Sequence, residues 1–244
     1  MSWENRSDAD VISRGGTAVE IDEGLRSYML QVYNYMTIGL LITAFVSYLF
    51  SVTMLGPMFF HESGEPNLLG WVVVLAPFAL IFMFSAAVNS GNAAKAFVLF
   101  VIYSGLLGIS LTTIFWAYTG LSILRVFLIT AATFAAMSLY GYTTKRDLTS
   151  IGNFLVMGLF GIVIASIVNI FLKSEALYFT TSIIGVIVFV GLTAWDTYKI
   201  REFYVEGEAQ NQVTSKAIYG AFMLYLDFIN LFLMLLRFFG NRRD

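Results

Sequence analysis

Seven stretches of about 20 predominantly apolar residues recur along the chain, joined by links too short to fold on their own. They fall at roughly 33–52, 68–88, 96–118, 123–142, 151–172, 177–195 with an extension to 198, and 217–239. Twenty helical residues rising about 1.5 Å each match a hydrocarbon core about 30 Å thick, and in lipid a helix satisfies its own backbone polar groups. A transmembrane barrel would instead show strands of about ten residues in strict alternation, a pattern the sequence does not have. The expectation is an all-α, polytopic membrane protein with seven transmembrane helices. Only 12% of the 244 residues are charged and 58% are hydrophobic, which leaves little outside the spans beyond the first residues. Residues 1–27 carry Glu4, Asp8, Asp10, Glu20, Asp22 and Glu23 against three arginines and are expected to be a mostly disordered tail. Residues 28–240 are read as one seven-helix domain.

The polar start has no apolar core behind a basic end, so the first span is expected to remain in the mature protein. The chain contains no cysteine, which excludes disulfides, thiolate metal sites and cysteine nucleophiles. Lys and Arg near span ends orient the bundle. With the N-terminus inside, that side holds Arg6, Arg14, Arg26, Lys95, Lys145, Arg146, Lys199, Arg201 and Lys216. The opposite side holds Lys173, with Arg125 just inside the fourth span, so a cytoplasmic N-terminus is expected. Arg237, Arg242 and Arg243 break the pattern: either the seventh helix crosses against the bias, or it re-enters and leaves the tail inside.

Several local features carry expectations of their own. The periodic segment 19–36 predicts a helix running into the first span, either a docking surface or a plain extension. The tight turn at 118–121 predicts that spans three and four are antiparallel neighbours. His61, the only histidine, lies in the broken loop 53–67 and is either a pH-sensing group or a solvated loop residue. Gly105, Gly108, Gly152, Gly158, Gly161, Gly185 and Gly191 predict close helix approach.

Two acids stand out against this apolar background. Asp227 lies about halfway along the last span, where a carboxylate costs roughly 2.5–3.5 kcal/mol on insertion scales, and Asp196 closes the span before it. If the sixth span extends past Tyr198 toward Tyr204, antiparallel packing brings the two face to face. Two carboxylates in one low-dielectric site cannot both ionise cheaply, so the pair is expected to share a proton and act as a switch. Lys199, one turn beyond Asp196, opposes that by favouring the anion. Asp196 taken alone could equally be an interfacial acid paired with Lys199 or Arg201. Asp227 has no Lys or Arg within a turn, and Asn230 adds a second polar group on its face.

Other chemistries are excluded by missing parts. An intramembrane serine protease needs a histidine inside the spans, and an HExxH zinc site needs two. A retinal pump needs a lysine within the final helix, whereas Lys216 stands at its start. No phosphate-cradling glycine motif appears, since GLFG and SGLLG lie inside apolar runs. No enzyme activity, cofactor or nucleic-acid partner is expected, and the odd span count disfavours a transporter of two equal inverted halves.

The segments RSYMLQVYNYMTIGLLITAFVSY from Arg26, SLYGYTTKRDLTSIGNFLVMGLFGIVIASIVNIFL from Ser138, WDTYKI from Trp195 and LYLDFINLFLMLLRFFG from Leu224 resemble the Bax inhibitor-1 family, also called the transmembrane Bax inhibitor motif family, in its bacterial branch. The resemblance covers Arg26 to Gly240. It implies a central C-terminal helix surrounded by the other six, and an aspartate pair acting as a pH-responsive latch on a calcium leak. Asp196 and Asp227 match that pair, and Thr197 completes the aspartate-threonine motif. Some relatives are thought to pair an aspartate with an arginine of the second helix, but the segment 68–94 contains neither Lys nor Arg.

The function expected is therefore a pH-sensitive calcium or cation leak in a bacterial inner membrane. Asp196 and Asp227 would be gate and transient calcium ligands, supported by Asn230, Thr197 and Lys199. Carboxylates suit a hard cation, and proton competition gates without an energy source. The alternative is a non-enzymatic interaction protein that modulates a membrane-bound protease or stress response through its acidic tail and inner loops. A proton-coupled transporter, concentrating its cargo against a gradient, is a third reading. Besides the lipid bilayer and the cation, no partner other than such a protease is expected, and the chain is read as a monomer.

Overall fold

The protein is described by a computed structural model that covers residues 4–61 and 63–243, with side chains from Glu23 onward. Eight α-helices build the described chain: α1 (Glu4–Val52), α2 (Leu68–Asn89), α3 (Ala93–Ser110), α4 (Thr112–Ala117), α5 (Gly120–Thr143), α6 (Thr149–Leu172), α7 (Glu175–Glu202) and α8 (Gln210–Phe239). Seven helical segments are long and apolar enough to cross a membrane, with α3 and α4 together forming the third. α1 begins within the stretch expected to be a disordered tail. Its side chains before Glu23 lie outside the described residues.

Local chemistry explains where the helices start. Asn67, Asn92, Thr119 and Ser174 sit just before α2, α3, α5 and α7, and each accepts a hydrogen bond from the backbone N–H three residues on. Those N–H groups have no partner within the helix and would otherwise face lipid headgroups unsatisfied. Gly91, at φ +66°, lets the α2–α3 link turn where a side chain would be strained.

α8 forms the axis. Ala217, Ile218, Ala221, Leu224, Tyr225 and Leu231 are almost completely inaccessible along it, and α1, α2, α3, α5 and α7 pack on it, whereas α6 lies along α7. Lipid tails are as apolar as leucine, so this packing rests on close approach and dispersion. Gly108 admits the α1 backbone, Gly152 the Trp195 ring, Gly185 the Met234 side chain and Gly191 the Leu155 side chain. Gly105 and Gly161 instead face open space, against expectation.

Two further expectations are resolved by the packing. Spans three and four are not neighbours along their length: α5 packs on α7 and α8, and α3 packs on α1, α2 and α8. The third span breaks at Leu111, and beyond it Ile114 and Phe115 of α4 and Ile123 and Phe127 of α5 line a cavity of about 320 Å³. The seventh span is one unbroken helix from Gln210 to Phe239. Beyond Phe239 the chain pairs with the α4–α5 link, Arg243 N–H donating to the Ala117 carbonyl at 2.9 Å and Thr119 N–H to the Asn241 carbonyl at 3.1 Å. Asn241 N–H adds a bond to Ser122 Oγ at 2.8 Å. The tail therefore ends on the face opposite the α7–α8 link.

Candidate functional site: a buried aspartate pair

α7 and α8 run antiparallel, and two tight contacts set their register. A Cβ added at Gly220 would come within 2.9 Å of Ile200, and one added at Gly185 within 2.9 Å of Met234. In that register Asp196 and Asp227 lie close enough for each carboxyl to act on the other. This requires α7 to extend beyond Tyr198, which it does, to Glu202. Both residues are shut off from solvent, at 7% and 5% exposure.

The surroundings supply almost nothing to hold two anions. Asp196 Oδ1 and Asp227 Oδ2 are buried without a hydrogen-bond partner among the described residues. An ionised carboxylate only accepts, so two carboxyls can bond each other only when one carries a proton. Lys199 is the positive charge felt by Asp196, but its ammonium rests 4.9 Å above the Trp195 ring and forms no ion pair with it. Arg201 turns away and caps α5, donating through Nη1 to the carbonyls of Tyr142 at 2.8 Å and Thr144 at 3.1 Å. Among the described residues the ion pair present is Lys216–Glu208, at 2.6 Å. The interfacial-pair reading of Asp196 is thereby replaced by a carboxyl–carboxyl contact.

The supporting residues divide. Thr197 Oγ1 donates to the Thr193 carbonyl at 2.7 Å and contacts Ser138 Oγ at 3.0 Å, which in turn contacts Tyr33 OH at 2.6 Å. A hydroxyl chain thus runs from α1 through α5 to the residue beside Asp196, and its outer end lines a cavity of about 370 Å³ between α1 and α5. Asn230 does not join the pair, because its Nδ2 donates to its own helix at the Leu226 carbonyl, 2.8 Å away. Sequence reading missed Tyr33 and Ser138 as members of this network. It also missed Thr43, whose Oγ1 meets Tyr225 OH at 2.7 Å and the Ser104 carbonyl at 2.9 Å, fixing α8 two residues before Asp227. The available signal was hydroxyl residues recurring inside apolar runs.

The pattern of the family described as Inhibitor of apoptosis-promoting Bax1 matches residues 25–244. The chain belongs to the Bax inhibitor family. It is 48% identical over 236 residues to an inner membrane protein of Escherichia coli, YbhL, covering 96% of this chain and 100% of that one. It is 49% identical over 225 residues to an uncharacterized protein of Rickettsia prowazekii, covering 91% and 93%. A protein of Borreliella burgdorferi shares 42% identity over 218 residues, covering 89% and 93%. As a Bax inhibitor family member the chain is an integral membrane protein.

Whether the pair could hold a cation is a matter of donor count. No group of three or more His, Cys, Asp or Glu side chains gathers among the described residues. Two carboxylates fall short of the six to eight oxygens a resident calcium ion takes, but suit a passing ion that keeps part of its water.

Proposed function

We propose that this protein is a pH-sensitive calcium leak channel of a bacterial inner membrane, monomeric, with its N-terminus in the cytoplasm. Asp196 and Asp227 are its gate. The observation that carries the reading is two buried carboxyls that act on each other and have no ion-pair partner among the described residues. With one shared proton the pair is a hydrogen bond that ties α7 to α8. When that proton leaves, two like charges face each other in a low-dielectric interior, which drives the helices apart and creates an oxygen-rich position for a cation. A salt bridge to a second-helix arginine, as thought for some relatives, is unavailable here because α2 carries no basic residue. The closed state therefore rests on the shared proton.

Polar groups elsewhere support a path through the bundle. Tyr28, Gln31, Thr43, Ser47 and Thr112 place buried oxygens along an otherwise apolar interior, and cavities of about 200 and 320 Å³ lie toward its two ends. The test is calcium entry into dye-loaded proteoliposomes between about pH 6 and pH 8, a range chosen for a carboxyl that shares its proton. Flux that rises with pH supports the channel. Flux no greater than in empty liposomes at every pH refutes it and favours the protease-modulating reading, for which deletion of residues 1–20 would abolish partner binding.

A further inference from the structure

A cleft of about 370 Å³ separates α1 from α5. α1 packs on α3, α4 and α8, and α5 packs on α7 and α8, so no neighbouring helix fills the space between them. Met29, Leu30, Phe134 and Leu139 form its apolar walls, and the 2.6 Å contact of Tyr33 OH with Ser138 Oγ bridges the two helices across it. Leu30 and Leu139 are 54% and 64% exposed, so the cleft opens sideways, where both spans face acyl chains.

One end of the cleft is cationic. Arg26 lines it there, about 10 Å along α1 from Tyr33 at about 1.5 Å per residue. Tyr204 against Gly24, and Arg201 on the carbonyls of Tyr142 and Thr144, place that end with the α7–α8 link at the rim of the bundle. Lys145 and Arg146 follow Tyr142 at the same rim, both exposed. Neither they nor Arg26 form an ion pair among the described residues. Against these cations stand Glu23, Asp147 and Glu202, and Asp147 is occupied by Thr149 N–H at 2.8 Å. An apolar cleft at acyl depth that ends in basic side chains at headgroup depth complements a lipid with an anionic headgroup.

We infer that this cleft binds one anionic phospholipid from the leaflet on that side, with an acyl chain between α1 and α5 and the phosphate on Arg26. Lys145 and Arg146 add to the positive field at the headgroup. The volume falls within the range of about 300–1,000 Å³ typical of small-ligand sites. A lipid seated there ties α1 to α5 and covers the Tyr33–Ser138 contact, the outer end of the hydroxyl chain that leads to Thr197. The site does not depend on the aspartate pair being a gate.

Native mass spectrometry of the full-length protein in detergent tests this, by titration with phosphatidylglycerol or with phosphatidylcholine of the same acyl chains. The parent is expected to bind one phosphatidylglycerol about fivefold or more tighter than phosphatidylcholine, the scale of one basic residue at a charged membrane surface. Arg26→Gln, at an exposed position where folding is not at stake, is expected to remove that preference and leave phosphatidylcholine binding unchanged. Ala135→Trp fills the cleft from an exposed position on α5 and is expected to weaken both lipids severalfold, with its fold checked by size-exclusion profile. Lys173→Gln, at the far end of α6, is expected to change neither. No preference in the parent, a preference kept by Arg26→Gln, unchanged affinity in a folded Ala135→Trp, or competition by glycerol 3-phosphate as effective as by the intact lipid would overturn the site.

Discussion

Gly141→Ala tests how tightly the site is held together. Gly141 lies on α5 against α7, and a Cβ there would fall on the Ala194 carbonyl oxygen, 2.9 Å from its carbon and 3.0 Å from the Ala194 Cα. These are backbone atoms, with no side-chain rotation to relieve the overlap. The carbonyl oxygen is the nearest atom and a carbon is at ease only at about 3.5 Å, so α5 and α7 must part by about 1 Å or more. Overpacking of that kind costs about 1–3 kcal/mol. For a chain of this length it lowers the unfolding midpoint by about 2–4 °C per kcal/mol. The same parting stretches the 3.0 Å Ser138–Thr197 contact beside Asp196. The control is Gly161→Ala, where nothing lies within 4 Å. There the better helix propensity of alanine stabilises by up to about 1 kcal/mol. Thermal unfolding of both variants in one detergent is the assay. The reasoning is refuted if the two substitutions move the midpoint alike, or if Gly141→Ala leaves it unchanged.

Tyr33→Phe removes the 2.6 Å contact to Ser138 while Ser138 keeps Thr197; the expected loss is about 0.6 kcal/mol, the average for hydrogen bonds between membrane helices, measured by unfolding in detergent. Removing residues 241–244 breaks the bonds between the tail and the α4–α5 link, and faster protease cleavage near residues 117–122 is expected. Asp147, exposed in the α5–α6 link, is held below the usual carboxyl range first by the Thr149 side chain and then by Thr149 N–H, which donates to it at 2.8 Å. A depressed folded value contributes stability above the unfolded value of about 4 and loses it as pH falls through the folded one. Asp147→Asn is thus expected to reduce stability at pH 7 and to have no effect at about pH 2, a difference read by paired melts.

Seven spans were legible because each had to supply about 20 apolar residues, whatever its neighbours were. The contact of Asp196 with Asp227 was legible for a related reason: an acid in lipid needs an internal partner, and antiparallel geometry leaves few. What the sequence hid was three-dimensional. The break at Leu111 follows Gly108 and Ser110 in the last turn of α3, but those residues also read as close helix packing, so the splaying of α4 from α5 had no distinct signal. Asn230 shares a face with Asp227 by spacing, yet a carbonyl one turn back in its own helix satisfies it more cheaply. Tyr33, Ser138 and Thr197 come from three helices, and only packing brings those hydroxyls together. The crossing of α8 against the charge bias became readable once the tail was seen on the α4–α5 link.

The most direct test of the gate is calcium flux at pH 6 and pH 8 from proteoliposomes holding the parent, Asp196→Asn, Asp227→Asn and the double variant. If the two carboxyls act as one proton-sharing unit, each single substitution abolishes the pH dependence, and the double variant differs little from either single, since the effects are not additive. A double variant that keeps the parent's rise in flux between pH 6 and pH 8 would contradict the account.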